Sequence, residues 1–210
     1  MFDPLYAIVD VPLCAGRGLD PLAVLEAFLA GGARLVQLRD KTASSRDRLV
    51  LADRAVARTH AAGAQLIVND RADIARLSGA DGVHVGQDDL TVEAVRAILG
   101  PAAIVGVSTH DEVQIDEASR SSATYVAVGP IYSTATKDTG YTARGLDLVR
   151  YAAAGSKPVV AIGGITLERV EEALAAGAAS VAVISDLLRG DPAERVRLFR
   201  RQANAAGSER

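Results

Sequence analysis

The segment 129–137 gathers several groups that could bind an anion. A Gly-Pro pair ends an apolar run at 125–128, and Ser133, Thr134, Thr136 and Lys137 follow within five residues. Hydroxyl and ammonium groups can all donate hydrogen bonds to phosphate oxygens. The sequence has lysine only at positions 41, 137 and 157, so a lysine here favours a phosphate site over a polar surface loop, which is the alternative.

A second polar cluster lies at 37–41, where Gln37, Arg39 and Lys41 alternate with other residues. In an extended segment, alternate residues share one side. Two cations and an amide on one side suit an anionic group, and a solvated basic edge is the alternative.

Two pairs of acidic and amide residues could hold a metal ion. Asn69-Asp70 and Asp88-Asp89 each follow an apolar run, and Mg²⁺ is usually bound by one or two carboxylates together with substrate phosphates and water. Alternatively, Asp70 caps a helix that begins near residue 72 and Asp89 caps a helix over 91–99. The spacing leaves both interpretations open.

A further anion site is predicted where Gly163-Gly164 and Ile184-Ser185 follow two late apolar runs. Backbone N–H groups beside a glycine turn or a helix N-terminus bind phosphate well.

His84 lies in an apolar run, where a histidine is more often a packed core residue than a catalytic one. The sequence shows no Ser/His/Asp spacing, no cysteine nucleophile and no zinc motif, which disfavours covalent hydrolysis.

The elements that must position these residues follow a repeated pattern, in which an Ala/Leu-rich helical stretch ends at glycine and a short Val/Ile/Leu run follows. Eight such units predict a (β/α)8 TIM barrel, an α/β fold with its active site at the carboxyl ends of the strands. An open doubly wound sheet is the alternative, but no glycine-rich dinucleotide motif follows the first strand. The predicted strands cover 5–9, 35–38, 66–69, 82–85, 104–107, 125–128, 159–162 and 181–184. The predicted helices cover 20–30, 46–62, 72–77, 91–99, 111–121, 146–153, 167–176 and 192–205.

Nearly every predicted strand ends in polar residues or glycine, as expected for an enzyme built on a barrel.

The 210 residues suit one domain, 1–210, with a frayed tail from about 203 to 210. One cysteine, Cys14, favours a reducing compartment. A net charge of −3 gives no support for nucleic-acid binding. Neither a membrane span nor a signal peptide is evident, so we expect a cytoplasmic protein of open oligomeric state.

Seven motifs, in the same order and spanning residues 6–185, closely resemble those of the thiamine phosphate synthase family. The motifs are Gln37-Leu-Arg-Asp-Lys41, Asn69-Asp-Arg71, Asp81-Gly-Val-His-Val-Gly-Gln-Asp-Asp89, Gly106-Val-Ser108, Gly129-Pro-Ile-Tyr-Ser-Thr-Ala-Thr-Lys137, Ala161-Ile-Gly-Gly-Ile165 and Ala182-Val-Ile-Ser185. The resemblance implies that a pyrimidine methyl pyrophosphate loses pyrophosphate to give a stabilised carbocation. The ring nitrogen of a thiazole phosphate then captures this cation, and the product is thiamine phosphate.

The same resemblance implies a role for each matching residue. Its implied metal ligands are Asp70 and Asp89, for one Mg²⁺ per subunit, and its implied catalytic residues are Arg39, Ser108 and Lys137. The pyrophosphate side comprises Gln37, Leu38, Arg39, Asp40, Lys41, Asn69 and Lys137, with Ser108, Tyr6 and His84 at the pyrimidine. The thiazole phosphate side comprises Thr134, Ala135, Thr136, Gly164, Ile184 and Ser185. The implied partners are therefore small phosphorylated substrates, with no nucleic acid and no membrane.

The sequence departs from the family pattern at Ser133, where proline is common, at Asp40, where glutamate is commoner, and over 138–145. Arg144-Gly-Leu146 also resembles the sister family of thiazole tautomerases, whose members carry a histidine where this sequence has Pro130. A tautomerase-like protein, or a barrel that binds thiazole phosphate without catalysis, is therefore the alternative. The carboxylates Asp70 and Asp89 favour the synthase, since a sensor needs no metal for a leaving group.

Replacement of the loop lysine tests the first of these assignments. We expect Lys137→Ala to lower turnover far more than thermal stability, because the ammonium group would stabilise charge that develops on the leaving pyrophosphate. Steady-state kinetics and a melting curve measure the two effects. A Lys137→Ala enzyme that turns over at the full rate would remove this residue from the site.

Overall fold

Eight parallel strands form a closed barrel in sequence order, as the sequence predicts. The computed structural model describes residues 3–133 and 140–208. Each strand is hydrogen-bonded to the next, and β1 closes the barrel by pairing with β8, with Leu5 opposite Val181. The strands are β1 (Leu5–Asp10), β2 (Leu35–Arg39), β3 (Gln65–Asn69), β4 (Gly82–Val85), β5 (Ile104–Thr109), β6 (Tyr125–Val128), β7 (Val159–Ile162) and β8 (Ser180–Val183).

Helices follow the strands around the outside of the barrel, and eight of them correspond to the predicted set. The helices of the described part of the chain are α1 (Val11–Gly16), α2 (Pro21–Ala30), α3 (Ser45–Ala61), α4 (Ala72–Ser78), α5 (Val92–Leu99), α6 (Glu112–Arg120), α7 (Gly145–Ala153), α8 (Val170–Ala175) and α9 (Pro192–Ser208). Two 3₁₀ turns, Leu167–Arg169 and Ser185–Leu188, precede α8 and α9. None of the described helices has the length and apolar character needed to cross a membrane.

Helix α1 is the element that the sequence analysis missed. It follows β1 directly, and the Asp10 carboxylate caps it by accepting a hydrogen bond from the Leu13 N–H at 2.9 Å. A proline in its first turn suits a helix start. Only six residues form this helix, too few for a helical period to stand out in the sequence.

The carboxyl end of the chain also differs from the expectation. Helix α9 continues to Ser208, and the side chain of Ala203 is 1 % exposed. The chain is therefore still helical and packed where a frayed tail was predicted to begin, and the residues beyond 208 lie outside the described structure. The small and polar residues of this segment suggested fraying, but the buried face of α9 keeps the segment helical.

Two apolar layers stabilise the barrel, because alternate strand residues point inward and outward. The outward residues of the strands pack against the helices and form the larger layer, with Phe28 of α2 and Phe199 of α9 fully buried in it. The inner layer fills the barrel axis. Its buried members are Tyr6, Ile8, Leu35, Ile67, Tyr125, Ala127, Val160 and Ala182.

The outer layer gives a direct test of the role of α9 in packing. We expect Phe199→Ala to lower the free energy of unfolding by about 3–5 kcal/mol, because the ring is fully buried and would leave a cavity. The matched control is Val113→Ala on α6, whose side chain is 67 % exposed and should change stability by less than about 0.5 kcal/mol. Urea denaturation measures both, and a loss below about 1 kcal/mol for Phe199→Ala would contradict the packing described.

Candidate active site

A cavity opens at the carboxyl ends of the strands. Its floor is formed by the inner apolar layer, and its rim carries polar groups from several strands. Among the candidate site residues of the sequence analysis, those that line it are Tyr6, Gln37, Arg39, Asn69, His84, Ser108, Gly163, Gly164, Ile184 and Ser185. Lys41, Asp70 and Asp89 adjoin the cavity but are not part of its lining. The barrel thus gathers into one site residues that are far apart in the sequence.

Strand β2 places Gln37 and Arg39 in the cavity wall and Leu38 between them on the opposite side. The Leu38 side chain packs in the outer layer against the helices, so it does not face the cavity. Arg39 forms a very short salt bridge with the buried Asp10, the residue that also caps α1. The guanidinium is therefore held in place before any ligand binds.

The Nε atom of Arg39 is buried, and no group in the described residues accepts a hydrogen bond from it. A buried donor without a partner is costly. Because Arg39 lines the cavity, an anionic ligand is a suitable acceptor. On the β2 side, the Arg39 Nε–H is therefore the donor that best suits a phosphate or pyrophosphate.

Asp40 has a local role in the structure rather than a place in the main cavity. Its carboxylate accepts hydrogen bonds from the N–H groups of Thr42 and Ala43, at 2.9 and 3.0 Å. Burial opposes its charge, but these hydrogen bonds outweigh burial and lower the pKa of Asp40. The carboxylate therefore shapes the loop that carries Lys41.

Lys41, Asp70 and Asp89 meet at the rim beside β2, β3 and β4. The Lys41 Nζ atom lies 2.8 Å from Asp70 Oδ2, and the carboxyl groups of Asp70 and Asp89 lie within hydrogen-bonding reach of each other. Asp70 has a φ of 62°, in the left-handed region that non-glycine residues seldom adopt. Such backbone strain is common at functional sites.

The two carboxyl groups have opposite pKa shifts. Burial would raise the pKa of Asp70, but the Lys41 ammonium outweighs burial and lowers it. Burial, together with the negative charge of Asp70, raises the pKa of Asp89 despite a hydrogen bond of 2.7 Å from the Gly86 N–H. The negative charge of Asp89 is therefore less well stabilised than that of Asp70.

The interpretation of these carboxylates as helix caps is wrong. Helix α5 is capped by Thr91, whose hydroxyl accepts from the Ala94 N–H, and α4 has Arg71 at its cap position with no capping side chain. Two adjacent carboxylates that cap no helix fit a magnesium ion that takes its other ligands from substrate and water. The described residues contain no group of three or more acidic, histidine or cysteine ligands that could hold a metal ion.

Glycines shape the opposite side of the cavity, at the end of β7. Gly163 and Gly164 have φ values of 101° and 64°, and a Cβ atom on Gly164 would lie 2.7 Å from the Ser133 carbonyl oxygen. Only glycine fits there. Ile184 and Ser185 line the cavity beside them at the start of a 3₁₀ turn, so the residues of the predicted second anion site lie together.

The loop after β6 carries Thr134, Ala135, Thr136 and Lys137, which lie outside the described residues. Its flanks are fixed to the cavity wall. The Tyr132 N–H donates to the Gly163 carbonyl oxygen at 3.0 Å, and the Arg144 N–H donates to the Pro130 carbonyl oxygen at 2.8 Å. The described residues at both ends of this loop therefore lie near the β7 glycines.

Sequence reasoning missed several residues of the site. Asp10 orients Arg39, and the ring of His110 stacks on Tyr141 at 4.1 Å between centroids, while its Nδ1 lies 2.5 Å from the Gly129 carbonyl oxygen. The small apolar residues of the floor could have been found from strand alternation, since they lie two residues from known site positions. The remaining missed lining residues are Ile8, Ala127 and Val160. Ile162, Ile165, Ala182 and Val183 also line the cavity and belong to the motifs given above, but no role was assigned to them.

A closed parallel barrel with a polar-rimmed cavity at the carboxyl ends of its strands defines the class of this protein. It is a (β/α)8 barrel, the fold in which barrel enzymes carry their active sites on the loops after the strands.

Comparison with known proteins gives the family. Residues 5–187 match the family model described as thiamine monophosphate synthase. The chain is 45 % identical over 201 residues to the thiamine-phosphate synthase of Koribacter versatilis, which covers 93 % of each chain. It is 48 % identical over 181 residues to that of Mycobacterium marinum, which covers 79 % of this chain and 80 % of the other. The solved thiamine phosphate pyrophosphorylase of Pyrococcus furiosus superposes with a TM-score of 0.88 at 29 % identity, over 97 % of this chain and 96 % of the other. The chain belongs to the thiamine monophosphate synthase family.

The opposite pKa shifts of Asp70 and Asp89 give a prediction for the metal-free protein. Asp89→Asn should raise the free energy of unfolding at pH 7.5 in the presence of a chelator, because it removes a negative charge beside Asp70 while an amide oxygen can still accept from Gly86. Solvent exposure limits the gain to less than about 1 kcal/mol. Because the pKa of Asp89 is raised in the folded protein, the destabilisation by its charge is complete above that pKa and decreases as the pH falls from there to the ordinary pKa. The gain should therefore disappear as pH falls towards 3.8, the ordinary value.

Urea denaturation across this pH range measures the effect. The matched control is Asp88→Asn, the adjacent exposed carboxylate, which should leave stability unchanged. If Asp89→Asn were less stable than the wild type at pH 7.5, the repulsion between the two carboxylates would be disproved.

Proposed function

We propose that this protein is a thiamine phosphate synthase, a transferase that joins 4-amino-2-methyl-5-(diphosphooxymethyl)pyrimidine to 4-methyl-5-(2-phosphooxyethyl)thiazole and releases pyrophosphate. The observation that carries the proposal is the division of one cavity into two sides. On one side, Arg39 and Asn69 line the cavity, and Lys41, Asp70 and Asp89 adjoin them outside its lining. On the other side, the β7 glycines and Ser185 line it. Two phosphorylated substrates require such an arrangement.

The β2 to β4 side would bind the pyrophosphate of the pyrimidine substrate. Arg39, Lys41 and Asn69 supply donors there, and Lys137 of the β6 loop would add another. Asp70 and Asp89 would hold one Mg²⁺, which would neutralise negative charge on the leaving pyrophosphate.

Charge stabilisation on this side would favour departure of pyrophosphate. The negative charge of the leaving group grows as the C–O bond breaks, so donors fixed in advance stabilise the transition state more than the ground state. Asp10 holds Arg39 in position, and the partial burial of this pair strengthens its field relative to water. No side chain needs to form a covalent bond with substrate.

The apolar floor would protect the resulting pyrimidine cation from water. Ala127, Val160 and Ala182 belong to the inner layer of the barrel and line the cavity. Exclusion of water prevents hydrolysis of a reactive intermediate. Gly164, Ile184 and Ser185, with Thr134 and Thr136 of the β6 loop, would hold the thiazole phosphate so that the thiazole nitrogen faces the cation.

The two alternatives have less support. A tautomerase of the sister family would use a histidine at position 130, where this chain has proline, whose side chain cannot transfer a proton. A non-catalytic sensor would have no use for adjacent carboxylates that cap no helix. We also propose that the protein acts in the cytoplasm on small phosphorylated substrates, without a nucleic-acid partner.

Turnover of the two substrates tests the proposal. Purified protein should form thiamine phosphate with Mg²⁺ and none with a chelator. Product formed at the same rate under both conditions would contradict the metal assignment. Isomerisation of a thiazole phosphate without any condensation would favour the tautomerase, and binding without any reaction would favour the sensor.

Substitution of a proposed metal ligand separates catalysis from folding. Asp70→Asn should lower turnover by at least about 100-fold, because the charge on the leaving group loses part of its stabilisation. It should also abolish the rise in melting temperature that Mg²⁺ and pyrophosphate together give the wild type. The matched control is Asp73→Asn, an exposed carboxylate three residues away that pairs with Arg71. Equal thermal shifts in wild type and Asp70→Asn would remove Asp70 from the metal site.

A further inference from the structure

A continuous chain of hydrogen bonds crosses the floor of the cavity. The Gln37 amide Nε2 donates to the Tyr6 hydroxyl at 2.8 Å, and the Tyr125 hydroxyl donates to the same oxygen at 3.0 Å. His84 continues the chain, with Nδ1 at 2.9 Å from the Tyr125 hydroxyl and Nε2 at 2.9 Å from Ser108 Oγ. Four of these five residues line the cavity, and Tyr125 alone lies beneath it.

Tyr125 reaches its partners because of a glycine on the neighbouring strand. Gly106 of β5 lies between His84 of β4 and Tyr125 of β6, opposite both in the strand register. A Cβ atom at position 106 would lie 2.0 Å from the Tyr125 ring carbon that carries the hydroxyl. The missing side chain lets the His84 and Tyr125 rings stack, with centroids 5.7 Å apart and planes 18° apart.

The direction of this chain depends on where the hydroxyl protons lie, and it is part of the inference made here. A tyrosine hydroxyl has one proton, and we assign that of Tyr125 to the hydrogen bond with Tyr6. Burial raises the pKa of both Tyr6 and Tyr125, so both hydroxyls keep their protons at neutral pH. With this assignment, the Tyr125 oxygen accepts from His84 Nδ1–H, and His84 Nε2 accepts from the Ser108 hydroxyl.

We propose that Tyr125 is a positioning residue, which holds His84 with its proton on Nδ1 and thereby turns Ser108 Oγ towards the cavity as a hydrogen-bond acceptor. This inference rests on the proposed function and extends it. The group that matches such an acceptor is the 4-amino group of the pyrimidine substrate, which carries N–H donors. Tyr125 would thus select an aminopyrimidine without contacting it.

Removal of one hydroxyl tests the proposal. Tyr125→Phe keeps the ring stacked on His84 but leaves Nδ1 without its acceptor. We expect kcat/KM for the pyrimidine pyrophosphate to fall about tenfold, which is the worth of one hydrogen bond, while the KM for thiazole phosphate stays within about twofold. The matched control is Tyr151→Phe on α7, whose exposed hydroxyl bonds to Asp116 and should leave both values unchanged.

A substrate analogue distinguishes positioning from general loss of structure. With hydrogen in place of the 4-amino group, both enzymes lose electron donation to the pyrimidine cation, so the two enzymes are compared on the same analogue. The ratio of kcat/KM between wild type and Tyr125→Phe should fall from about tenfold to about one. Independent losses that simply multiply would overturn the proposal, and so would a Tyr125→Phe enzyme with wild-type kcat/KM.

The tautomer of His84 gives a readout that does not depend on turnover. Nitrogen-15 NMR of the wild type should show a protonated Nδ1 and an unprotonated Nε2, and Tyr125→Phe should shift this balance. A wild-type His84 that is protonated on Nε2 would overturn the inference even if Tyr125→Phe failed to fold. Conversely, the expected tautomer in a protein without synthase activity would contradict the proposed function and leave this hydrogen-bond chain intact.

Discussion

Closure of the barrel by the pairing of β1 with β8 is the constraint on which the site depends. It joins the first and last strands, with Leu5 opposite Val181, and brings all eight carboxyl ends to one rim. The alternation of side chains then determines which residues face the axis. Arg39 therefore faces the cavity and Leu38 faces the helices, although both belong to the same polar motif. The chemistry of the site follows from this geometry.

Charged side chains are distributed unequally around the rim, and this distribution follows from the same geometry. On one side, Lys41 forms an ion pair with Asp70, whereas Asp89 accepts a hydrogen bond from the Gly86 N–H and has a raised pKa. On the opposite side, two glycines with positive φ take the place of charged groups. This asymmetry suits the two substrates that we propose, because a pyrophosphate carries more charge than a lone phosphate.

The sequence predicted the barrel and the grouping of the site because both depend on periodic patterns. Glycine after each helix and short apolar runs located all eight strands, and polar strand ends located the cavity. It could not predict α1, which has only six residues, nor the place of Asp40, whose carboxylate closes a local turn. Asp10, Gly106 and Tyr125 were also missed, because their roles depend on contacts between neighbouring strands that no local pattern reveals.

The central claim is that one cavity holds two anionic groups at once, and calorimetry tests it most directly. Thiazole phosphate would be titrated into protein that is already saturated with Mg²⁺ and pyrophosphate. The account predicts binding of one thiazole phosphate per chain, with an affinity equal to or higher than that for the protein without pyrophosphate. Competition between the two ligands would contradict it, since both would then occupy the same anion site.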